Sequence, residues 1–132
     1  MRKHLLIGDT QQKPGVDSTF MRAIGRLIVQ ERPDVIVHIG DHFDMPSLSA
    51  YDYGKKCFEG RRIQEDLNAG HEAMRNLLYP LRKLQRKQRA AKKRVYTPQM
   101  HFTLGNHEYR LERHIEAHAA LDGVLNYPDS FD

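Results

Sequence analysis

The sequence predicts an α/β domain built on a mostly parallel sheet flanked by helices. Three short apolar segments predict the strands: Leu5-Leu6-Ile7, Val35-Ile36-Val37 and Met100 to Leu104. Each runs into a glycine, at Gly8, Gly40 and Gly105. Helical patterns separate them, and the order β-α-β-α-β-α implies right-handed crossovers between parallel strands. The composition agrees with one globular domain spanning residues 1–132, with 39% hydrophobic and 29% charged residues. A disordered chain would be less apolar, and no internal repeat is present.

The elements follow in order. After the first strand, Asp9 to Val16 reads as a polar loop, with Pro14 and Gly15 as turn signals. A helix is expected from about Asp17 to Arg32, because Phe20, Ile24, Leu27 and Ile28 recur on one face. Asp17 can cap it, Val16 and Met21 are spaced as a hydrophobic staple, and Pro33 stops it. Asp34 to Ile39 forms the second strand, with a β-branched centre. Asp41 to Gly60 is a long polar stretch without a clear period, a feature that usually marks a functional loop or disorder. A long helical segment is expected over 61–93, carrying Ile63, Leu67, Met74, Leu77, Leu78, Leu81 and Leu84, and Pro80 should kink or split it. The last helix runs from Glu108 to about Ala120, with Leu111, Ile115 and Ala119 on one side.

Composition also excludes several classes. Leu5-Leu6-Ile7 is too short for a signal-peptide core, and no segment approaches a membrane span. Cys57 is the only cysteine, so no internal disulfide exists, and a reducing cytoplasm is the simplest home. The net charge of +4 and pI near 9.3 permit an anionic partner without requiring one.

The chemistry gathers at the strand ends. Gly8-Asp9-Thr10-Gln11, Gly40-Asp41-His42-Phe43-Asp44 and Gly105-Asn106-His107-Glu108 each follow a strand. Ligands of open parallel sheets bind at the strands' carboxyl ends, so Asp9, Asp41 and Asn106 should meet at one edge. Taken singly, each has a plain structural reading: a Gly-Asp turn, or Asn106 as a helix cap. Jointly, hard oxygen donors at three successive strand ends suit a two-metal centre for phosphoryl displacement, with a nearby imidazole as proton donor.

Gly-Asp-x-x-Asp at 40–44 and Gly-Asn-His-Glu at 105–108 resemble the second and third motifs of the calcineurin-like metallophosphoesterases, over nearly the whole chain. Pro46-Ser47-Leu48-Ser49, Tyr51-Asp52 and Glu59-Gly60-Arg61-Arg62 look most like the bacteriophage and prophage branch. The resemblance implies the first half of a four-layer α-β-β-α sandwich, with 61–93 as a long helical insertion. It implies two divalent metal ions, manganese foremost, with iron, zinc, nickel or magnesium as alternatives. Asp9 would ligate the first metal, Asp41 would bridge both, and Asn106 would ligate the second. His107 would be the catalytic imidazole, oriented by Asp44 or Glu108. A metal-bound hydroxide would attack phosphorus without a covalent enzyme intermediate.

This sequence departs from the family pattern twice. The first motif, usually Asp-x-His, reads Asp9-Thr10-Gln11. Gln11 is a weaker, harder ligand than imidazole, suited to a manganese-like ion or to leaving that position to water. The family's later motifs, a lone His and Gly-His-x-His, have no match after Glu108. His114 and His118 sit one helical turn apart there, as a two-histidine site or as solvent-facing side chains. The chain therefore reads as a fragment, a truncated gene product or half of a split enzyme. A second copy, or a chain carrying the missing histidines, is the expected partner.

Two basic groups remain. Arg82, Lys83, Arg86, Lys87, Arg89, Lys92, Lys93 and Arg94 form an acid-free run, either a solvated helix end or a phosphate-backbone contact in DNA or RNA. Lys55, Arg61 and Arg62 follow the second motif, as surface charge or as substrate-phosphate contacts. The leading function is a divalent-metal phosphoesterase acting on a nucleic-acid phosphodiester. The rival is a non-catalytic nucleic-acid- or protein-binding module that retains a partial metal site.

Overall fold

The computed structural model describes all 132 residues. Three four-residue strands, β1 (His4–Ile7), β2 (Val35–His38) and β3 (Gln99–Phe102), form one parallel sheet in the order β1-β2-β3. Three helices accompany them: α1 (Thr19–Glu31), α2 (Ile63–Ala90) and α3 (Tyr109–Ala117). The expected α/β class with a parallel sheet is what the chain forms. No helix is long and apolar enough to cross a membrane.

Register decides which residues share a face. Ile7, His38 and Phe102 stand side by side, as do Leu5, Ile36 and Met100. This face packs under α1 and α2, in a core of Ile7, Met21, Ile28, Ile36, Ala73 and Leu77. Each fully buried aliphatic there contributes about 1.5–3 kcal/mol of transfer free energy. On the opposite face Leu6 is 70% and Ile39 55% exposed. The open apolar stripe is narrower than a run of apolar strands suggests, because His4, Gln99 and His101 occupy the flanking positions of that face.

Local signals explain the helix ends. Asp17 Oδ1 accepts the Thr19 N–H at 2.9 Å, which holds its carboxyl below the usual range. Arg32 closes α1 in the left-handed region (φ 50°), its N–H bonded to the Ile28 carbonyl, one residue before Pro33. The helix α2 is continuous through Pro80, against the expectation of a break. A proline removes only one ladder bond. Here its ring packs on α1 at Gly25, where an added Cβ would meet Pro80 Cδ at 2.9 Å, so tertiary contact supports the turn that the missing bond weakens. The last helix is shorter than its apolar period predicts and passes into a 3-10 turn at Ala119–Leu121.

A second core lies beneath the loops. Phe43, Met45, Leu67, Leu111 and Phe131 are buried together, joining the segment after β2 to α2, α3 and the final residues. The polar stretch after β2 is ordered around this cluster, with 3-10 turns at Pro46–Leu48 and Lys56–Phe58.

Candidate active site

Asp9, Asp41 and Asn106 follow β1, β2 and β3 at the same sheet edge, since parallel pairing aligns the three strand ends. The loops after β2 and β3 are in backbone contact there. A Cβ on Gly40 (φ 98°) would meet the Gly105 nitrogen at 2.6 Å, and a Cβ on Gly105 would strike the Asp41 carboxylate. Only glycine fits both positions.

Asp41 is the hub of this edge. Its backbone is left-handed (φ 51°), a conformation that non-glycine residues adopt only when their surroundings hold it. Its carbonyl accepts the Gln11 N–H at 2.9 Å, which ties in the first loop. Its Oδ1 accepts the His107 N–H at 2.9 Å, which ties in the third. The side chains of Asp9 and Asn106 are exposed and make no hydrogen bond within the protein. Gln11, also left-handed (φ 41°), is exposed beside them.

Glu108 explains how the hub is held. Its side chain is wholly buried, and both oxygens are committed to backbone. Oε1 accepts the N–H groups of His42 (2.7 Å) and Phe43 (2.9 Å). Oε2 accepts those of Asp41 (3.0 Å) and Gly105 (2.8 Å). One carboxylate thus fastens the turn after β2 to the turn after β3. Of the two acids expected to orient His107, Asp44 makes that contact instead. His107 Nδ1 lies 2.8 Å from Asp44 Oδ1. A carboxylate only accepts, so Nδ1 carries the proton and donates; Nε2 has no protein partner. Asp44 is also within 3.1 Å of Lys13 Nζ, and its backbone carbonyl accepts from Arg110 at 2.9 Å.

A buried chain of side chains braces the first two loops against α2. His42 Nε2 donates to the Gly70 carbonyl at 2.8 Å, which leaves Nδ1 as the acceptor of the Thr10 hydroxyl proton at 2.6 Å. Thr10 Oγ1 in turn accepts from His38 Nε2 at 3.0 Å, and His38 Nδ1 accepts the Gly40 N–H at 3.1 Å. The His38 ring, with Nδ1 accepting, is therefore neutral. Burial pushes the His38 pKa down to about 4, helped by the neighbouring His42. Burial also lowers His42, against the opposing pull of the Gly70 carbonyl and Glu108.

The expected substrate cations divide. Arg61 is anchored, donating to Asp52 Oδ2 and to the Pro46 carbonyl, both at 2.9 Å, and Asp52 raises its pKa. Lys55 lies 3.6 Å from Asp52 and 3.6 Å over the Tyr51 ring. Arg62 is exposed and donates only to the Arg61 carbonyl. His114 and His118 stack at 4.4 Å, and His118 Nδ1 donates to the His114 carbonyl at the end of α3. Lys13 and Arg110, absent from the sequence-based candidates, line the cleft with Asp44, Arg61 and Arg62. Neither stands in a motif, and only the fold brings them to the site.

Asp9, Asp41 and Asn106 fit a divalent cation by donor chemistry: hard oxygens with free lone pairs at one sheet edge. No three His, Cys, Asp or Glu side chains of the chain form a ready metal cage.

A parallel sheet with a carboxylate–amide edge and a His–Asp pair places the chain among α/β proteins that carry a polar site at their strand ends. The chain belongs to the calcineurin-like phosphoesterase family, whose profile matches residues 3–132. That family binds two divalent metal ions. The chain is similar to the Gene 54 protein of Mycobacterium phage L5, with 29% identity over 131 residues, 99% of this chain and 45% of that protein. The Gene 54 protein of Mycobacterium phage D29 is 28% identical over the same length and share. The chain spans about half the length of these relatives. No solved structure matches it.

Proposed function

We propose that this chain carries the front half of a divalent-metal phosphoesterase centre acting on a nucleic-acid phosphodiester, with manganese as the preferred ion. The observation that carries the reading is the His107–Asp44 pair beside the Asp41 hub. When bound, divalent ions supply charge neutralisation at phosphate and an activated water. Asp9, Asp41 and Asn106 would hold the ions, with Gln11 beside them. The Nδ1 proton of His107 stays on the ring, donated to Asp44, which aims Nε2 away from that carboxylate. Nε2 would take a proton from solvent and pass it to the leaving oxygen of the ester. Lys13, Arg62 and Arg110 would balance phosphate charge.

The nucleic-acid part rests on α2. Arg75, Arg82, Arg86 and Arg89 line one groove along its outer side with Tyr79, and none of the four is paired with an acid. Such a stripe suits a phosphate backbone better than a small ester. A second copy, or a chain carrying the missing histidine ligands, would complete the ligand sphere.

The test is turnover of chromogenic phosphodiesters and phosphomonoesters with added Mn²⁺, with excess chelator, and in Asp41→Ala. The reading expects diester hydrolysis only with metal and none in the variant. Full turnover in chelator or in Asp41→Ala refutes it. The non-catalytic rival expects oligonucleotide binding with no turnover under any metal.

A further inference from the structure

The loop that leaves Asp44 carries aromatic surface that neither core uses. Tyr51 is 85% and Tyr53 80% exposed. Each leaves a large apolar ring face in water that contact with a flat ligand would bury. Tyr53 packs edge-on against Phe58, ring centroids 5.7 Å apart, and Arg61 lies over the other ring at 5.5 Å. This holds the tyrosine in a fixed wall. A groove of about 740 Å³ opens between this wall and the end of α3, with Leu48 and Ile63 as apolar floor and Gln64 and His114 offering hydrogen bonds.

The groove does not stand alone. It shares Ser49, Arg61 and Arg62 with the cleft of about 500 Å³ that contains Asp44, Lys13 and Arg110 and has no hydrophobic lining. The two compartments together match a bipartite ligand, with a phosphate in the polar cleft and a flat, partly apolar group next to it. A lipid tail would meet Arg62, Gln64 and two histidines, a poor environment for hydrocarbon. A nucleobase presents a π-face to the tyrosine and polar edges to the rest.

We propose that the groove walled by Tyr53 and Phe58 is the subsite for a base of a single-stranded nucleic-acid substrate, adjoining the scissile phosphate. The proposal rests on the phosphodiesterase reading above and deepens it. The subsite accepts one unstacked base on Tyr53, while Arg62, which lines both compartments, contacts the flanking phosphate. A duplex cannot present its bases this way, so single strands are preferred.

Two measurements separate this from the hydrolase reading. The first is fluorescence anisotropy with a labelled oligodeoxythymidine of roughly ten nucleotides, in chelator and at fixed salt. Tyr53→Ala should weaken binding about 5- to 100-fold, as one lost stacking contact does, and Tyr53→Phe should stay near wild type. The tyrosine is exposed, so folding is not at stake. Unchanged affinity in Tyr53→Ala overturns the proposal. The second compares kcat/KM with Mn²⁺ for the thymidine, cyclohexyl and methyl p-nitrophenyl phosphodiesters. Wild type should favour the thymidine ester, and Tyr53→Ala should lose that preference alone. An equal preference for the cyclohexyl ester makes the groove a generic apolar pocket and overturns the base assignment. Loss of oligonucleotide affinity in Tyr53→Ala without turnover of any ester supports the subsite and sinks the hydrolase reading.

Discussion

Glu108→Gln should be among the most damaging single-atom changes in this chain. The carboxylate accepts four backbone N–H groups, two on each oxygen, in a wholly buried position. An amide has one acceptor oxygen. Whichever way it is turned, its NH₂ faces two N–H donors that lose their partner and cannot reach water. Hydrogen bonds to a charged group contribute about 1.5–3 kcal/mol each, so two losses cost roughly 3–6 kcal/mol. A domain of this size has about 5–15 kcal/mol in total. Urea titration followed by circular dichroism would show the midpoint falling by roughly 2–4 M, or no folded baseline at all. Glu108→Asp keeps the charge but shortens the reach, and should fall between. A midpoint within about 0.5 M of wild type for Glu108→Gln would mean that the clamp is not what holds the two turns together.

Other expectations follow from the same geometry. His38 is neutral in the fold with a pKa near 4 against an ordinary 6.5, so the unfolded chain binds its proton first. Stability should therefore be intact above about pH 6.5 and fall between 6.5 and 4. The shift bounds the loss at about 3 kcal/mol, and screening at the ring edge brings the expected figure to about 1–2 kcal/mol. Thermal melts of wild type and His38→Asn across that range check it; a slope unchanged by the substitution contradicts it. His107→Ala should lower phosphodiester turnover about 10²- to 10⁴-fold while metal content stays, whereas Asp41→Ala should lose both; metal loss in His107→Ala would make that imidazole a ligand. Replacing Arg82, Arg86 and Arg89 by Gln should reduce the log–log salt slope of single-stranded oligonucleotide binding by roughly two, and an unchanged slope would return the stripe to solvent.

Much of the scaffold was legible because it rests on local chemistry. Glycine-terminated apolar segments and one-faced helices are read from spacing, and they sufficed for three parallel strands with Asp9, Asp41 and Asn106 at a common edge. The remainder depends on contacts between residues far apart in sequence. Glu108 carries the same chemistry whether it meets an imidazole or four backbone amides; only the approach of Gly40 to Gly105 decides that it faces the backbone. Thr10, His38 and His42 look like unrelated loop and strand residues until β1 and β2 pair. The continuity of α2 through Pro80 depends on packing against Gly25, which no local rule supplies. Phe131 enters the second core from the far end of the chain, where the sequence shows no periodic element. Lys13 reaches Asp44 from the loop after β1 and Arg110 from the first turn of α3, and charge composition alone does not single them out.

The central claim is that the strand-end residues hold a divalent cation, and paramagnetic NMR locates it most directly. Substoichiometric Mn²⁺ added to the ¹⁵N-labelled chain should broaden the amides of Asp9, Asp41, Asn106 and His107 first, and Asp41→Ala should abolish that pattern while the rest of the spectrum persists. Broadening centred on His114 and His118, or a pattern at the strand ends that survives Asp41→Ala, would contradict it.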